Sequence, residues 1–78
     1  MQELDHLIQS DKPWAQKRAE MALNIMNQAQ MGTISKDEAR ELLEDLVRTD
    51  ALEAEADDMQ VKAMLVTAIW GLSQVLSV

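Results

Sequence analysis

The chain has 78 residues, a formal net charge of −7 and no cysteine, which excludes a disulfide framework and a thiolate metal site and fits a reducing, cytoplasmic setting. One small domain is the most that this length supports, and a domain of this size buries only roughly 60% of the surface its unfolded chain exposes. Ala, Leu, Met, Glu and Gln dominate beside two Gly, one Pro and no Phe or Tyr, and no stretch alternates in the strand manner, so an all-α fold is expected.

Residues 1–12 form a short N-terminal segment. Leu4, Leu7 and Ile8 share one side of a short helix there, which is short enough to fray. No basic stretch leads into an apolar one, which reads against a secretory signal. Ser10-Asp11-Lys12-Pro13 then gives a start signal: Pro13 at the first helical position lacks only an N–H that the first turn leaves unpaired anyway, and Ser10 and Asp11 are candidate caps. The helix that follows spans 13–31, ended by Gly32 in a left-handed conformation. Ala15, Ala19, Ala22, Met26 and Ala29 make a narrow seam along it, and Trp14, Met21 and Ile25 a bulkier strip widened by Leu23.

Ser35 with Glu38 three residues on is a capping box, opening a second helix over 35–48. Ile34 precedes the cap and is placed to pack on Ala39 or Leu42. Ala39, Leu42, Leu43, Leu46 and Val47 point inward, and Arg40–Glu44 and Glu44–Arg48 pair outside at i,i+4. The phrase from Gly32 to Ala39 is similar to hairpin turns of many small helical adaptors, including assembly proteins of tailed phages, and identifies no family. Asp50 with Glu53 marks a new start after Thr49. No Gly or Pro enforces a break there, so one long bent helix over 35–77 is the alternative to a bend or break at 49–51 followed by a third helix over 51–77, about 40 Å long at 1.5 Å per residue. The expected architecture is a helical hairpin plus a long C-terminal helix, completed by oligomerisation.

Charge is segregated along this plan. Residues 1–36 hold four acids and four bases, residues 37–58 ten acids against Arg40 and Arg48, and residues 59–78 only Lys62. The acidic face comprises Asp37, Glu41, Glu44, Asp45, Glu53, Glu55, Asp57 and Asp58, with Asp58 and Lys62 as an i,i+4 pair. Such a segment repels phosphate backbones, so direct nucleic-acid binding is not expected.

Chemistry finds little footing. His6 is the only histidine and lies in the least constrained segment, where no rigid frame holds a partner for it. The acidic cluster fails the Ca²⁺-loop pattern, because Leu52, Ala54 and Glu55 stand where oxygen ligands and a glycine are required. No Glu-x-x-His motif, Gly-x-Ser-x-Gly elbow or phosphate-cradling loop exists. The six methionines at helical spacing suit a plastic core. No catalytic, cofactor or metal site is expected.

The final stretch is the informative one. Apolar residues from Met59 onward form two seams, Met59-Ala63-Val66-Trp70 and Val61-Leu65-Ala68-Leu72-Val75 with Leu76. A helix apolar on two sides must be covered from both. The bulkier Trp70 seam is the one expected to face the hairpin, with Trp14 and Trp70 able to pack together. Lys62, Thr67, Gly71, Ser73, Gln74 and Ser77 interrupt the segment, so no membrane span is expected. The expectation is a non-enzymatic interaction or assembly module. It forms a homo-oligomer or docks on a helical protein partner through Met59, Val61, Leu65, Val66, Ile69, Trp70, Leu72, Val75 and Leu76. The rival is an acidic regulator or nucleic-acid mimic, of phage origin, working through residues 37–58.

Overall fold

A computed structural model describes residues 6–9, 11–48 and 50–76. The fold is all-α. Four helices follow in order among the described residues: α1 Pro13–Gln30, α2 Lys36–Arg48, α3 Asp50–Glu55 and α4 Met59–Leu76. A helical turn at 6–8 precedes them and is held by Leu7, which is fully buried. The helices α1, α2 and α4 pack against one another, and the short α3 adjoins α2.

Local signals set the first two helices. Pro13 occupies the first turn of α1, which places the N-cap at Lys12, and no side chain caps it. Asp11, one residue further out, is therefore not the cap; Ser10 lies outside the described residues, as do the Asp50 side chain and Thr49. The other end of α1 closes in a Schellman arrangement. Gly32 adopts φ 76°, its N–H donates to Ala29 O at 3.2 Å, and Thr33 N–H donates to Gln28 O at 3.0 Å. Ser35 then caps α2: Glu38 N–H donates to its Oγ at 3.0 Å, and Ser35 N–H reaches Glu38 Oε1 at 3.4 Å.

The core lies between the alanine seam of α1 and the leucines of α2, α3 and α4. Ala15, Ala19, Ala22 and Ala39 are fully buried, as are Leu43, Leu52, Leu65 and Ile69. Small side chains on α1 and α2 let these helices come close to α4. Leu42 departs from its expected inward position and stands at the surface, like Met21 on α1.

The expected helix over 51–77 is broken. Residues 56–58 are not helical, so α3 and α4 are separate elements. A straight helix of that length would extend about 40 Å, beyond the 34 Å longest dimension of the molecule. Asp58 starts α4 afresh: its Oδ1 accepts from Gln60 N–H at 3.0 Å and Val61 N–H at 3.1 Å. Its carboxylate thus caps the helix, and the expected Asp58–Lys62 side-chain pair gives way to Lys62 Nζ on Glu53 at 2.6 Å. Lys62 reaches back across the break and ties α4 to α3.

Replacing Ser35 by Ala removes the α2 cap and is expected to cost about 0.5–2 kcal/mol. Gly32→Val is expected to cost at least about 1 kcal/mol, because a branched residue is strained at positive φ although the space around Gly32 is open. Urea midpoints measure both, and an unchanged midpoint in both variants would contradict this account of the turn.

Candidate interaction surface

The α4 helix carries one buried row and one exposed arc. Leu65, Ile69, Leu72 and Ser73 are buried, and Val61, Val66, Ala68 and Leu76 are half-buried beside them. The opposite arc exposes Met59 (72%), Val75 (62%), Met64 and Trp70 (37%), together with Ala63, Thr67, Gly71 and Gln74. No residue of that arc is charged.

Two expectations are corrected by this orientation. Leu65, Ile69 and Leu72, counted as interface residues, are core residues of the chain itself. The seam containing Trp70 faces outward, not toward the hairpin. The buried side of α4 is the one where Leu65, Ile69 and Leu72 pack in one cluster with Ala15, Ala19, Ala22, Ala39 and Leu43, and the Trp70 seam lies on the other side of the helix. Trp70 lies instead at the surface beneath the Arg48 guanidinium, 5.7 Å from the ring centroid. Trp14, expected to be able to pack with Trp70, is buried in the core, and its Nε1–H donates to Asp57 Oδ1 at 3.1 Å.

The expected acidic face is largely paired within the chain, with most of its carboxylates still exposed. Asp37 pairs with Arg40 at 2.7 Å, Glu44 with Arg48 at 2.9 Å, Glu53 with Lys62, and Glu55 with Arg18 at 2.8 Å. Asp57 holds Trp14 and lies 3.5 Å from Lys12, and Asp58 is a cap. Only Glu41 and Asp45 of that set lack such a partner among the described residues. The indole hydrogen bond, and after it Lys12, hold the Asp57 carboxyl below the usual aspartate range.

Arg18 is the functional-looking residue that the sequence reading passed over. It is buried, its Nη1 serves Glu55 Oε2 and Trp14 O, and its Nε donates to Leu46 O at 3.2 Å. Every bond it makes is internal, so its role is structural. No sequence signal singled it out, because Glu55 lies 37 residues away. His6 is exposed. Among the described residues no group of three or more His, Asp or Glu side chains is placed to hold a metal ion. By length and composition α4 is apolar enough to cross a membrane, and 22% of it is buried within the chain, where it contributes Leu65, Ile69 and Leu72 to the core. Compared with known proteins, the chain matches no family model, no curated protein and no solved structure.

Asp57 gives the site a pH signature. A lowered folded pKa means that its contribution is present above the unfolded value, roughly 4, and disappears as pH falls through the folded value. Asp57→Asn is therefore expected to lose stability at pH 7 yet to be less sensitive to acid between pH 5 and pH 2, with circular dichroism reporting on denaturant unfolding. Identical acid dependence in the two proteins would remove Asp57 from the set of pH-linked groups.

Proposed function

We propose that this protein is a non-enzymatic assembly module that docks on another helical chain, most simply a second copy of itself, through the outer arc of α4. The observation that supports it most is the combination of exposure and missing charge among the arc's own residues, with the Arg48 guanidinium of α2 lying over its Trp70 end. Met59, Met64, Trp70 and Val75 are exposed on a helix whose only charged residue, Lys62, is turned to Glu53. Large exposed apolar side chains gathered on one uncharged face mark contact surfaces in soluble proteins. The working part of the site is accordingly Met59, Met64, Trp70 and Val75, flanked by Val66 on one edge and Val61 on the other, while Leu76 lies on the side of Leu65 and Ile69. The rival acidic-regulator reading is weakened by the internal use of the carboxylates described above.

Separate substitutions on the two sides of α4 test this proposal. Leu65→Glu buries an unpaired charge in a very small core and is expected to abolish helicity. Met59→Glu with Val75→Glu places charge only on the exposed arc and is expected to leave circular dichroism unchanged while lowering the assembled mass in native mass spectrometry. If the double variant assembles as the wild type does, the outer arc of α4 is not the contact.

A further inference from the structure

The exposed residues of α4 are ordered about Thr67, itself exposed. Ala63 and Gly71 stand four positions from it on either side, and Gln60 and Gln74 stand seven. These four lie within about 40° of a line along the helix through Thr67. Further out, Met64 and Trp70 are three positions from Thr67, and Met59 and Val75 are eight. Met64 and Val75 form one margin, about 60–80° from the line, and Met59 and Trp70 form the other. No other residue of α4 is exposed. The chemistry matches across Thr67 as well as the spacing: small with small at four, amide with amide at seven, large apolar with large apolar at three and eight.

We propose that the occupant of this arc is a second copy of α4, laid antiparallel about a two-fold axis that passes between the copies at Thr67. The proposal rests on the docking surface described above and fixes its partner and register. Thr67 meets the second copy's Thr67, Ala63 meets its Gly71, and Gln60 meets its Gln74. The small residues let the two helix axes approach to about 8 Å. Each glutamine amide is both donor and acceptor, so the facing pairs can satisfy one another. The axis also keeps each margin beside the same margin of the other copy. Trp70 then lies about 7.5 Å along the helix from the second copy's Met59, and Met64 as far from its Val75. Side chains of this length close such a gap, and a thioether beside an indole is a favourable contact.

Charge selects the antiparallel arrangement. A parallel pair gathers the two corners at 56–58 at one end, with Glu53, Glu55, Asp57 and Asp58 of each copy brought together. The antiparallel pair parts the starts of the two α4 helices by about 27 Å, well beyond the roughly 10 Å over which exposed charges act in ordinary salt. It also turns Arg48, which lies over Trp70, toward the second copy's corner. That corner adjoins the same margin, because Lys62 on that side of α4 is held by Glu53.

The chain has no cysteine, so single cysteines read the register directly, a disulfide needing Cα atoms within about 7 Å. Thr67→Cys, Ala63→Cys and Gly71→Cys all fall on exposed positions, with open space for a side chain at Gly71. Glu20→Cys, exposed on α1, measures linking by random collision. Under mild oxidation Thr67→Cys should link to itself at least about tenfold faster than Glu20→Cys, because it lies on the axis. Ala63→Cys and Gly71→Cys should each stay at the collision rate alone, since each is about 12 Å along the helix from its own counterpart. A refolded mixture of those two should link to one another as fast as Thr67→Cys does, as read by intact mass. A monomeric wild type in native mass spectrometry would overturn the docking surface and this arrangement together. An assembled wild type whose Thr67→Cys variant links no faster than Glu20→Cys would overturn the register alone. Self-linking of Ala63→Cys and Gly71→Cys at the Thr67→Cys rate would make the pair parallel and overturn the axis proposed here.

Discussion

Arg18 places a permanent positive charge on the buried side of α1, and the positions of three helices follow from its need for partners. A buried guanidinium left unpaired costs several kcal/mol, so the acceptors around it are not optional. Leu46 O belongs to the last turn of α2, where carbonyls have no partner within the helix, and Arg18 Nε satisfies one of them. Glu55 sits at the last position of α3, where a negative charge opposes the helix dipole. The 2.8 Å contact with Arg18 offsets that, and Glu55 keeps its outer side in water, which limits the desolvation that usually burdens such pairs. One side chain thus caps α2, neutralises the end of α3 and fixes both against α1.

The break at 56–58 completes what Arg18 begins. With the end of α3 held at Arg18, the chain must turn before it can run back along the hairpin. Asp57 and Asp58 divide that work. Asp57 faces α1, taking the Trp14 indole N–H and lying close to Lys12, while Asp58 supplies the acceptors that start α4. Lys62 on Glu53 closes the corner from the other side. Exposed ion pairs of this kind each contribute little. Their joint effect here is directional, because they select one bend among the many that a helix–loop–helix allows.

What was legible in the sequence was what is local. Gly32, Ser35, Glu38 and Pro13 act within one turn of helix, and the alanine seam of α1 repeats with the helical period, so each can be read without knowing the rest of the fold. Arg18 and Asp57 act on residues far along the chain, at separations that no periodicity encodes. Asp58 was visible as an acid but ambiguous, since an aspartate four residues before a lysine suits a helix interior as well as a helix start. The orientation of α4 was unreadable for a different reason. Both of its seams are apolar, and the choice between them depends on how α4 packs against two other helices.

The same packing explains where association is possible on so acidic a chain. Two copies carrying −7 each repel one another, and contact is favourable only where charge is absent or where opposite charges can be brought into register. Pairing carboxylates within the chain does not change the net charge, but it leaves Glu41 and Asp45, both on α2, as the acids of that set without a partner among the described residues. The outer arc of α4 carries no such acid, and the one lysine of that helix is turned to Glu53. That exposed arc follows from the packing of α4, in which Leu65, Ile69 and Leu72 fill the core and Trp70, Met59 and Val75 are left outside.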